Sequence, residues 1–177
     1  MMQGKDILIQ MQRYVANIAI SGSTLRNQGA ARVTDTARKY LASLDLGVLR
    51  KIDNSKYPDQ LDEWTVELIQ ELPSEAKNWG TARKAINVFM VQAFLNKSLA
   101  TKYELGKFAD VLETPLDLQA TKELRKRAGR GKLPRWTGIK SLTPESSARY
   151  QEFASELAKR ENLSRAYLDI ILWRAGQ

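Results

Sequence analysis

The chain has 177 residues, 28 Lys and Arg against 20 Asp and Glu for a net charge of +8, and neither Cys nor His. This length suits a single domain with a substantial apolar core, and no apolar run reaches the roughly 18 residues of a membrane span. The missing residue types exclude disulfides, thiolate nucleophiles, imidazole bases, Cys- or His-ligated metals and iron–sulfur clusters. Chemistry would fall to Lys, Asp, Glu, Tyr, Ser or Thr, to an external cofactor, or to a carboxylate-bound metal. The opening Met1 to Gln10 is too polar for a signal peptide, so a cytoplasmic location is expected.

Helical periodicity recurs along the chain and alternating β-branched runs do not, which predicts an all-α fold of about eight helices in one compact domain spanning 1–177. The first helix is expected from Lys5 to Ile20, with Ile7, Met11, Tyr14, Val15 and Ile18 facing inward. The polar turn after it holds Ser23, Arg26, Asn27 and Gln28, a plain connection or a surface facing DNA. A second helix is expected from Gly29 to Ser43. A third runs from Asp59 to Leu72 on a stripe of Leu61, Trp64, Leu68 and Leu72, stopped by Pro73.

The fourth helix, Thr81 to Leu99, has almost no polar face in its middle and reads as the central buried helix. A short helix is expected at Glu104 to Leu112. The next covers Pro115 to Ala128, with Thr114 as its cap and Asp117 as an acid in its first turn, and ends at Gly129. After a Gly- and Pro-bearing loop, Thr143-Pro144-Glu145 opens a helix to Glu161, and a last one spans Ser164 to Ala175.

The charge is concentrated. Between Thr121 and Lys140 stand Lys122, Arg125, Lys126, Arg127, Arg130, Lys132, Arg135 and Lys140 against the single acid Glu123, which accounts for +7 of the net +8. The rest of the chain is close to neutral, so the segment reads as a local surface for an anion. Nucleic acid fits, since Lys and Arg neutralise phosphates and Trp136 in the same loop offers a ring for stacking. The plainer alternative is that Arg125, Lys126 and Arg127 complement a helix dipole, the loop is solvated, and Trp136 only packs.

Two further residues carry chemistry. Lys84 is expected in the first turn of the buried helix, where the dipole and burial both disfavour an ammonium; it is either a solvated lysine or a neutral amine able to form a Schiff base. Asp117 is either a capping acid or a carboxylate that supports developing positive charge, and one residue can do both. Asn87 reads as a hydrogen bonder at the edge of the core or, alternatively, as a substrate contact.

The segment Gly80-Thr-Ala-Arg-Lys-Ala-Ile-Asn-Val88 resembles the hairpin-to-helix motif of the helix-hairpin-helix DNA glycosylase/AP lyase superfamily, with Lys84 at the position of the catalytic lysine. Pro115-Leu-Asp-Leu-Gln-Ala-Thr-Lys-Glu-Leu-Arg125 is similar to the segment that brings the catalytic aspartate, with Asp117 at that position. The separation of 33 positions, and the closing Tyr167-Leu-Asp-Ile-Ile-Leu-Trp173, are closest to the archaeal 8-oxoguanine glycosylase type. The pattern departs at Asn78-Trp79, at Ala82 in place of the second hairpin glycine, and at Leu118-Gln119. The resemblance implies a helix-hairpin-helix-like core and repair of a damaged or abasic nucleotide in double-stranded DNA through a Lys84 Schiff base assisted by Asp117. It implies DNA contacts from Gly80 and Arg83, beside those expected of Arg125, Lys126, Arg127, Arg130, Lys132, Arg135 and Trp136. No metal, cofactor, iron–sulfur cluster or membrane partner is called for. The alternative is a helical nucleic-acid-binding protein without chemistry.

Overall fold

A computed structural model describes residues 4–28 and 32–174, and among them the fold is all-α, without strands. The helices are α1 (Gly4–Ala19), α2 (Val33–Ser43), α3 (Tyr57–Glu71), α4 (Trp79–Leu95), α5 (Lys97–Tyr103), α6 (Leu118–Ala128), α7 (Pro144–Arg160) and α8 (Leu168–Arg174), joined by short 3-10 turns. The expected helix start at Gly29, the end at Ala175 and the side chain of Trp173 lie outside the described residues. No described helix is long and apolar enough to cross a membrane.

Two apolar clusters build the interior. The larger gathers α1 to α5, with Leu41, Leu61, Leu68, Phe89 and Phe108 at its centre. The smaller gathers α6 to α8 around Leu116, Leu124, Tyr150, Ala154 and Leu172, with Trp79 of α4 packed against it. Helix α4 serves both clusters, and every residue from Gly80 to Asn87 is buried. A helix apolar all round has to be enclosed, which is why it is central.

Several boundaries differ from expectation for local reasons. The long apolar run does not continue to Leu99, because the Asn96 side chain accepts from the Leu99 backbone N–H at 3.1 Å and starts α5 afresh. The helix expected at Glu104 to Leu112 is only the 3-10 turn Leu105–Phe108, entered through Glu104 in the left-handed region. Helix α6 begins at Leu118, not Pro115. Its cap is Asp117, whose Oδ1 accepts from Ala120 N at 2.9 Å, while Thr114 is tied to Gln151.

In α1 the inward face is turned from the expected one. Val15, Ala16 and Ala19 are buried, whereas Ile7, Tyr14 and Ile18 are exposed. The Gln12 amide donates to the carbonyls of Leu41 at 2.9 Å and Leu44 at 2.7 Å, drawing its own face onto the end of α2. The small side chains at 16 and 19 permit the close approach.

Candidate active site and nucleic-acid interface

Helix α4 is capped by Asn78, which accepts from Thr81 N at 2.9 Å, so it starts at Trp79, two residues earlier than expected. Lys84 is thereby in the second turn, not the first. The helix dipole fades beyond the first turn, so burial governs this lysine. Its side chain is 8% exposed and its pKa is lowered from the ordinary value by desolvation, with the charges of Asp117 and Asp169 opposing the shift.

Lys84 and Asp117 meet where the two clusters join. Lys84 Nζ lies 4.0 Å from Asp117 Oδ2, and the Asp117 side chain is 41% exposed. The carboxylate divides its work: Oδ1 caps α6 while Oδ2 faces the amine. One partner is therefore enclosed and the other open to solvent.

Asp169, in the first turn of α8, completes the group. Burial pushes its carboxyl up to about 6, the Asp117 charge adds to the rise, and Lys84 opposes it. Sequence reasoning missed this residue. Its only signal was an acid inside the apolar run Tyr167-Leu-Asp-Ile-Ile-Leu-Trp173. With its carboxyl at about 6, Asp169 changes protonation near neutral pH close to an amine whose charged form burial disfavours, which suits proton handling.

The segment leading to Asp117 is clamped from both clusters. Arg83 Nε and Nη2 donate to Glu113 at 2.9 and 3.1 Å, and Arg83 Nη1 donates to Asp62 and Thr65 at 2.8 and 2.9 Å. Asn87 Nδ2 donates to the same Glu113 at 2.8 Å, which makes it the core hydrogen bonder expected. From the other side, Arg165 donates to the carbonyls of Leu112 and Val111. Gln151 accepts from Thr114 N at 2.9 Å and donates to Thr114 O at 2.8 Å. Residues 111–114 thus hold a set path, and Asp117 follows three residues later.

Two residues expected at a DNA surface are placed elsewhere. Arg83 is buried, with four of its five N–H donors used on Glu113, Asp62 and Thr65 and its guanidinium stacked 5.0 Å from the Trp79 ring centre, so it is held in the interior and not at a phosphate surface. Gly80 is closed off as well. A Cβ there would collide with the Ile139 carbonyl oxygen, so the missing side chain serves helix-to-turn packing and not a DNA backbone. The departures from the hairpin pattern have matching local roles, since Asn78 caps and Trp79 packs.

The basic segment is a surface. Arg125, Lys126, Arg127, Arg130, Lys132 and Arg135 are exposed and Trp136 is half-buried. Arg127 is shared with Glu161 at 3.6 Å. Asp117 caps one end of α6 and the three cations leave its other end, about 15 Å away at 1.5 Å per residue. Comparison of the chain with known protein families, with curated proteins and with solved structures finds no match.

Proposed function

We propose that this protein is a DNA repair glycosylase/AP lyase acting on a damaged or abasic nucleotide in double-stranded DNA, in the nucleoid of the cytoplasm, with α3 and α4 in the place of a helix-hairpin-helix core. The observation that carries the reading is the 4.0 Å approach of a buried lysine amine to a half-open carboxylate at the junction of two helical clusters. The exposed cations from Arg125 to Arg135 supply the phosphate contacts. A nucleotide extruded from the duplex enters from the Asp117 side.

Positive charge then develops at C1′ as the glycosidic bond to the base breaks, and Asp117 stabilises it. The neutral Lys84 amine attacks C1′, the base departs with the bonding electron pair and a proton, and opening of the sugar ring leaves a Schiff base. Loss of a C2′ proton expels the 3′ phosphate and breaks the strand. The proton that Lys84 loses passes to solvent or to Asp169, whose carboxyl is coupled electrostatically to the amine.

The test is borohydride trapping on duplexes carrying 8-oxoguanine, uracil or an abasic site. A covalent adduct that Lys84→Ala abolishes is expected on at least one of them. No Lys84-dependent adduct on any would remove the lyase reading. The enclosure of Lys84 favours one alternative, a helical nucleic-acid-binding protein without chemistry, whose affinity would survive both Lys84→Ala and Asp117→Ala.

A further inference from the structure

A cleft of about 320 Å³ opens beside the candidate active site without including Lys84 or Asp117. Arg26 and Asn27 of the turn after α1 form one wall, Leu118 and Trp136 supply its apolar surfaces, and Lys140 stands at the other edge. Leu118 follows Asp117 directly and is 70% exposed, the most exposed large hydrophobic side chain among the described residues. Trp136 packs one part of its ring against the smaller cluster and gives the rest to the cleft.

The cleft is held in register with α4 at two points. Gln28, in its wall, accepts from Thr81 Oγ1 at 2.7 Å, one helical turn before Lys84. The Ile139 carbonyl, also in its wall, rests against Gly80. No acidic side chain lines it. A leucine and a tryptophan between an arginine and a lysine fit a flat aromatic ring that carries phosphates, and the volume matches the smallest ligand sites, roughly 300 Å³.

We infer that this cleft binds one unstacked nucleotide of DNA, its base held between Leu118 and Trp136 and its flanking phosphates held by Arg26 and Lys140. The inference rests on the DNA-repair reading above and assigns it a second nucleotide site, next to the one where chemistry occurs. Base stacking on protein rings is worth about 1–3 kcal/mol, so occupancy is expected to favour an unpaired nucleotide about tenfold or more.

The experiment is fluorescence anisotropy of the full chain with two labelled duplexes, one fully paired and one carrying a single bulged adenosine. The wild type is expected to bind the bulged duplex about tenfold more tightly. Leu118→Glu, at an exposed position, is expected to abolish that preference while affinity for the paired duplex changes little, and Arg26→Gln with Lys140→Gln is expected to reduce it. An unchanged preference in Leu118→Glu, or none in the wild type, overturns the site. Borohydride trapping separates this from the parent reading. A bulge preference lost in Leu118→Glu supports the cleft even where the wild type forms no adduct. A Lys84 adduct with no bulge preference keeps the glycosylase reading and removes the cleft.

Discussion

Arg83 and Glu113 are joined by two side-by-side hydrogen bonds, Nε to Oε2 at 2.9 Å and Nη2 to Oε1 at 3.1 Å, with Arg83 buried and Glu113 half-buried. Arg83 directly precedes Lys84 and Glu113 lies four residues before Asp117, so this pair sets the distance between the two candidate reacting groups. Removing Glu113 takes two acceptors from Arg83 and leaves the more exposed Asp62 to balance its charge. Glu113→Ala is expected to cost about 3 kcal/mol in urea unfolding, the low end for breaking a buried pair because Asp62 remains, with Glu113→Gln costing less because it keeps an acceptor for one donor.

Gly80 has a backbone neighbour where a side chain would go. Gly80→Ala places a methyl group on the Ile139 carbonyl and must push the 139–141 turn away from α4. Backbone yields less readily than a side-chain end, so a loss of about 3 kcal/mol in thermal or urea unfolding is expected. The same change widens the wall of the Leu118 cleft. An unchanged melting temperature would contradict the packing.

The reactivity of Lys84 depends on its uncharged fraction. Burial lowers its pKa below the ordinary 10.5, so the rate of borohydride-trapped adduct should rise with pH and level off below that value. Asp117 and Asp169 hold the proton on. Asp169→Asn is therefore expected to move the midpoint to lower pH, and a midpoint at the free-lysine value would mean that the amine is solvated during reaction.

Asp169 also makes stability depend on pH. Its folded pKa of about 6 lies above the ordinary 3.8, so the folded state binds the proton more tightly than the unfolded chain. This contribution is fully present below pH 3.8 and is lost as pH rises through 6. The loss is about 3 kcal/mol. Comparing melting curves of wild type and Asp169→Asn at pH 4, 5.5 and 7.5 should show the wild type falling relative to the variant as pH rises.

The cations at the end of α6 should act on all duplexes alike. Arg125→Gln, Lys126→Gln and Arg127→Gln together are expected to weaken DNA binding regardless of sequence and to reduce the slope of log affinity against log salt by about 2–3. The reduction should fall toward the lower figure because Arg127 is already shared with Glu161. An unchanged slope would place the phosphates elsewhere.

Local chemistry made much of this protein legible in its sequence. Apolar spacing and helix punctuation determined an all-α fold, the central place of α4, and a basic surface from Lys122 to Lys140, because each depends on residues within a turn or two of one another. The same locality misjudged the inward face of α1, which Gln12 turns by reaching carbonyls 29 and 32 residues away. Arg83 looked like a surface cation until Glu113 and Asp62 were folded around it. Lys84 and Asp117 were separately suspicious, but nothing local places an amine 4.0 Å from a carboxylate across 33 positions, or couples Asp169 electrostatically to both. Those meetings depend on α6 packing on α8 and on their cluster resting against Trp79 at the start of α4, and burial at that junction shifts the Lys84 amine and the Asp169 carboxyl.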